Sequence, residues 1–106
     1  MSVLGELQPN KVFKYFEEIC SIPHGSRNLQ QISDYLVDFA KAHELKYRQD
    51  EDLNVIIWKD GSKGYEASEP VILQGHMDMV AVKEADCDKD MEKEGLDLEI
   101  NGDYIS

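Results

Sequence analysis

The 106-residue chain is 42% hydrophobic and 31% charged, an ordinary composition for a globular protein and a length that holds one small domain. Its formal net charge of −11, from 22 acidic against 11 basic residues, would repel a nucleic-acid backbone and an anionic lipid surface alike. No apolar run approaches the roughly 20 residues of a membrane-spanning helix, and residues 1–10 lack the basic and then apolar stretches of a secretory signal.

Residues 9–19 read as a helix. Pro9 suits a first turn. Val12, Phe13, Phe16 and Ile19 recur at helical spacing, leaving Lys11, Lys14, Glu17 and Glu18 for water. Proline and glycine in Ser21-Ile22-Pro23-His24-Gly25-Ser26 break the period. A second helix is expected from Ser26 or Asn28, either of which can cap it, to His43 or Glu44. Its apolar stripe is Leu29, Ile32, Leu36, Phe39 and Ala40, broadened by Tyr35 and Val37.

From Lys46 the period changes. Tyr47 and Gln49 fit a short strand, and the β-branched run of residues 54–59 is a stronger one. Asp60-Gly61 starts a turn, and residues 64–68 continue a loop. The continuous apolar run Val71-Ile72-Leu73 makes residues 70–76 read as a strand covered on both faces. Residues 85–95 are acidic and read as an exposed loop. Residues 96–100 alternate with period two, Asn101-Gly102 signals a tight turn, and Tyr104-Ile105 would open the return strand. Helices followed by strands predict an α/β layer structure. A hairpin opening at the end of the chain leaves unpaired edges, so the chain is expected to be a piece of a longer one.

Cys20 and Cys87 are far apart and lack C-x-x-C spacing, so both read as free thiols of a reducing compartment, which points to the cytoplasm. The residues that could carry chemistry are His76 and Asp78. They stand two apart at the end of an apolar strand, where ligands commonly bind in α/β sheets, and in extended geometry both side chains point to one side. Gly75 lets the backbone turn or be approached closely. A neutral imidazole is a good zinc ligand, and a nearby carboxylate can orient that ring or a metal-bound water. Taken alone, H-x-D is common by chance. A catalytic zinc takes three protein ligands, and neither an H-E-x-x-H nor a cysteine cluster completes one here. The plainer alternative is that His76 is a satisfied buried histidine.

Other candidates read plainly too. His24 is a loop histidine with a backbone hydrogen bond. His43 lies at a surface helix end. Trp58 and Tyr65 pack rather than line a substrate wall. The acidic run of residues 84–94 is a solvated loop without regular oxygen-ligand spacing.

The run Val71-Ile72-Leu73-Gln74-Gly75-His76-Met77-Asp78-Met79-Val80 resembles the first metal-binding motif of the M20 family of metallopeptidases, a hydrophobic strand, a glycine, His-x-Asp and a small or apolar pair. The likeness covers nearly the whole chain. Phe13 to Ser26, Gln31 to Leu36, Asp52 to Ile57 and Asn101 to Ile105 are similar to the N-terminal segment of the aminoacyl-histidine dipeptidase branch. One loop departs: relatives often read Ser-Gly-Asn-Glu where this chain has Ser26-Arg27-Asn28-Leu29.

The resemblance implies the N-terminal portion of a zinc-peptidase-like three-layer α/β/α catalytic domain, two helices followed by strands, with residues 1–106 a single partial domain. It implies a zinc-dependent metallodipeptidase that hydrolyses Xaa-His or related dipeptides through a metal-activated water. It gives His76 as a metal ligand and Asp78 as catalytic. Two Zn2+ ions would serve the complete enzyme, other divalent metals staying open, and the general-base glutamate and bridging aspartate would lie beyond Ser106. The implied partner is a small peptide substrate, without nucleic acid or membrane, and a homo-oligomer stays open for the full-length protein. The alternative is a truncated, non-catalytic globular fragment or interaction module that cannot assemble the two-metal site.

Overall fold

Helical periodicity settles the first half of the chain. In the computed structural model, which describes residues 3–83 and 85–106, α1 spans Asn10–Cys20 and α2 spans Gln30–Ala42. Four short strands follow, β1 at Lys46–Gln49, β2 at Val55–Trp58, β3 at Ile100–Asn101 and β4 at Tyr104–Ile105. This is the expected order of two helices followed by strands. Met1 and Ser2 of the segment searched for a signal, and Glu84 at the head of the acidic run, lie outside the described residues. The chain divides into two units, one formed by residues up to Ile32 together with Asp78–Ser106, the other by Ser33–Met77.

In the first unit α1 begins one residue later than expected. Pro9 stands at the cap with φ −70° and ψ 126°, outside the helix. The helix ends at Ser21, whose hydroxyl donates to the Glu18 carbonyl at 2.6 Å. Leu4, Cys20 and Ile32 are buried. Two members of the expected apolar stripe are not, since Val12 is 60% and Phe16 44% exposed. Glu17, expected in water, instead accepts the Val3 and Leu4 amides on its two carboxylate oxygens at 2.8 and 2.9 Å. Charge-assisted bonds of this kind are stronger than neutral ones, and they hold Leu4 where it is 1% exposed. Burial of Cys20, and then the nearby Glu17 charge, push its thiol above the usual cysteine range.

The acidic loop is braced rather than merely solvated. Lys89 Nζ donates to the Gly95 carbonyl at 2.6 Å and pairs with Asp97 at 3.0 Å. The Leu96 amide donates to the Cys20 carbonyl at 2.7 Å, tying the loop to the end of α1. That bond takes Leu96 out of the strand expected over residues 96–100, of which only Ile100 is in β3. β3 and β4 pair antiparallel, Ile100 with Ile105 and Asn101 with Tyr104. The two turn residues are therefore Gly102 and Asp103, one position later than the Asn101-Gly102 signal. Gly102 carries the positive φ (+60°) that a two-residue hairpin turn with glycine first requires.

The second unit sets α2 with a hairpin. Val37 and Ala40 of the expected stripe are buried, with Ser33 beside them. α2 closes on Glu44, whose φ of +55° lets its amide reach the Lys41 carbonyl (3.1 Å) while the Leu45 amide reaches Ala40 (2.8 Å). These are the two bonds of a Schellman motif, made here without the usual glycine. β1 and β2 pair antiparallel from Lys46 with Trp58 to Gln49 with Val55. The Lys46 ammonium lies 5.2 Å from the Trp58 ring centroid, a cation–π contact. In the connecting loop the Asp50 carboxylate accepts the Asp52 amide (3.0 Å), the Asn54 amide (2.9 Å) and the Asn54 side-chain amide (3.0 Å). Those donors, led by the Asn54 side chain, hold the Asp50 carboxyl below the usual range.

Residues 70–76 overturn one expectation. They belong to no strand, and Val71, Ile72 and Leu73 are 84%, 87% and 93% exposed. A run buried on both faces needs a strand on each side and a layer above and below. Among the described residues both sheets are two-stranded, β1 with β2 and β3 with β4, so nothing pairs along it. Gly75 likewise meets open space rather than a close neighbour.

Candidate functional site

The loop after α1 positions the site. Ile22 to Ser26 leaves the helix with Pro23 and Gly25 buried. Gly25 forms a parallel bridge with Met79. Two backbone bonds flank it, from the Met79 amide to the His24 carbonyl and from the Ser26 amide to the Met79 carbonyl, each 3.0 Å. The approach is close enough that a Cβ on Gly25 would come 2.6 Å from Cβ of Ala81. Only glycine fits there without a shift.

This bridge delivers Asp78 to the loop. Ser26 Oγ donates to Asp78 Oδ2 at 2.6 Å, and Asp78 is half-buried. On the same loop, Asn28 Nδ2 donates to the Glu92 carbonyl at 2.9 Å. α2 itself starts at Gln30, two residues past Asn28, the later of the two expected caps. Between them Arg27 takes φ +69°, the left-handed region. It occupies the glycine position of the Ser-Gly-Asn-Glu pattern. The departure from that pattern therefore spares Ser26 and Asn28, the two residues that bond across the unit. Ser26 is the hydrogen-bond neighbour of Asp78 that sequence reasoning missed.

His76 lies in the second unit, two residues before the chain passes into the first at Asp78. Its ring is exposed, so the reading of a histidine satisfied inside an apolar core is removed. Of the plainer candidates, His24 Nδ1 bonds the Ile22 carbonyl at 2.6 Å. His43 sits exposed past α2 with Nδ1 2.9 Å from the Phe39 carbonyl, as expected of a helix-end residue. Trp58 is 45% and Tyr65 67% exposed. Among the described residues no three His, Cys, Asp or Glu side chains come together as metal donors. A lone imidazole and one carboxylate fall short of the three protein ligands of a catalytic zinc. The donors among the described residues do not by themselves fit a two-metal centre.

Comparison with known proteins supplies the class. The chain is similar in sequence and in fold to two dipeptidases. It is 36% identical over 105 residues to the cytosol non-specific dipeptidase of Escherichia coli (strain K12), covering 99% of this chain and 22% of that protein. It superposes with a TM-score of 0.92 and 33% identity on the crystal structure of aminoacylhistidine dipeptidase from Vibrio alginolyticus, over 97% of this chain and 21% of that one. The chain therefore spans about a fifth of the length of both. No family model matches it. No helix among the described residues is long and apolar enough to cross a membrane.

Proposed function

We propose that these residues are the N-terminal segment of a zinc-dependent cytoplasmic dipeptidase acting on Xaa-His or related dipeptides. In this reading His76 contributes one metal ligand and Asp78 is the catalytic carboxylate. The homology to a dipeptidase over 99% of the chain carries the reading. Gln74-Gly75-His76-Met77-Asp78 supplies the residue types such a site needs. When bound, the metal pair would polarise the scissile carbonyl and activate the attacking water. What the chain itself does is hold Asp78 through Ser26 and present an exposed imidazole at His76.

The absence of a three-donor group among the described residues favours a second reading for the isolated chain, a non-catalytic fragment. One experiment addresses both. Residues 1–106, continued by the remaining part of the E. coli dipeptidase, are assayed for hydrolysis of Xaa-His dipeptides and for bound zinc. The isolated chain is titrated with zinc by calorimetry. The joined protein is expected to turn over and to lose most activity and part of its zinc on His76→Ala. The isolated chain is expected to bind zinc weakly or not at all. Normal turnover of the His76→Ala protein refutes the ligand assignment. Tight binding of two zinc ions by the isolated chain refutes the fragment reading.

A further inference from the structure

The chain carries a small polar device that the dipeptidase reading does not require. The Ser26 hydroxyl and the Asp78 carboxylate are separated by 52 residues, yet stand 2.6 Å apart. That is the short range of an O–H···O⁻ bond, roughly twice as strong as a neutral one. The serine backbone is not free to follow the carboxylate. Its amide is bonded to Met79, the residue next to Asp78, and the His24 carbonyl holds the Met79 amide from the other side of the bridge. Gly25 presses against Ala81 with no room for a Cβ, and Asn28 anchors the far end of the loop to Glu92. Loop and Asp78 backbones are thus clamped together, and with the Ser26 side chain in its observed rotamer the hydroxyl stands at one place relative to the Asp78 Cα.

A donor at a fixed place selects one rotamer of a side chain that otherwise has three staggered choices. The choice of serine matters chemically. A lysine or arginine would hold the carboxylate and cancel its charge, whereas a hydroxyl orients it and leaves the anion intact. We propose that Ser26 is a positioning residue, setting the rotamer of Asp78 for the reaction. The proposal rests on the reading of Asp78 as the catalytic carboxylate.

The test is solution NMR of the isotope-labelled 106-residue chain. Side-chain couplings report the Asp78 χ1 angle, the Asp78 carboxyl carbon reports its hydrogen bonding, and amide exchange of Met79 reports the bridge. The wild-type chain is expected to show a single Asp78 rotamer. Ser26→Ala is expected to lose it to rotamer averaging and to shift the carboxyl carbon, while the Met79 amide stays protected. Ser26→Thr, which keeps the hydroxyl, is expected to restore both signals. The proposal is overturned by averaging in the wild type, by an unchanged rotamer in Ser26→Ala, or by failure of threonine to rescue. It is equally overturned if the Met79 amide loses protection together with the rotamer, since Ser26 would then only hold the loop. These signals are independent of hydrolysis. A failed rotamer result leaves the His76→Ala assay standing, and normal turnover there leaves the rotamer result standing.

Discussion

Replacing Ser33 by alanine should destabilise the second unit by about 1–2 kcal/mol. Ser33 is fully buried, and its hydroxyl sits between α2 and the hairpin. It donates to the Leu53 carbonyl at 2.7 Å and accepts Gln49 Nε2 at 2.7 Å. Each such bond contributes about 0.5–1.5 kcal/mol net, and a buried partner left unpaired raises the loss. Gln49 keeps a second acceptor in Asp34 at 3.1 Å, so the larger loss falls on the Leu53 carbonyl. The change removes only one oxygen, so the cavity cost is small. Trp58, the single tryptophan, lies in β2 and reports unfolding of this unit by its fluorescence in urea. With a slope of roughly 1–3 kcal/mol per molar for a small protein, the midpoint should fall by about 0.3–2 M. A cycle with Gln49→Ala should show coupling of about 0.5 kcal/mol or more. A midpoint unchanged within about 0.2 M, on the same slope scale, would refute the claim that this hydroxyl joins helix to hairpin.

Three further outcomes can be checked. Glu44→Gly should stabilise the chain by roughly 0.5–1 kcal/mol in the same urea assay, because φ +55° strains a residue with a Cβ while the two closing bonds remain. Glu17→Ala should cost about 1–3 kcal/mol and expose the Leu4 amide to hydrogen exchange, since both carboxylate bonds to the Val3 and Leu4 amides disappear. The Asp50 carboxyl has its pKa lowered on folding, chiefly by the Asn54 side chain. Its contribution is therefore present above the unfolded carboxylate pKa and lost as pH falls through the lower folded value. Protection of the Asn54 amide should persist through the ordinary carboxylate range and fade only below it, whereas Asp50→Asn should flatten that dependence.

Local chemistry made much of this fold readable. The spacing of Ile32, Val37 and Ala40 marked the face of α2 that is buried. The β-branched run at Val55–Trp58 marked its strand. What escaped was decided by partners distant in sequence. Glu17 read as a solvent residue because nothing in its own helix announces the Val3 and Leu4 amides. Ser26 and Asn28 read as helix caps because their bonds run to Asp78 and Glu92, 52 and 64 residues away. Val71 to Leu73 read as buried because apolar composition states what a segment would gain by burial, not what is there to cover it. Of the candidate residues, His76 and Asp78 were proposed from a motif, while the bond from Ser26 to Asp78 could be seen only once the loop was folded against Met79.

The bare Val71-Ile72-Leu73 run and the net charge of −11 act against each other in solution. An uncovered β-prone segment without pairing partners is adhesive toward its own kind. Mutual repulsion between strongly acidic molecules keeps such segments apart, and that repulsion reaches about 30 Å at 0.01 M salt but only about 3 Å at 1 M. Ionic strength thereby becomes the control on the colloidal behaviour of this chain. Dilute buffer keeps copies dispersed, and concentrated salt both removes the barrier and strengthens the attraction, so turbidity should rise with salt well before the helices or hairpins lose their structure.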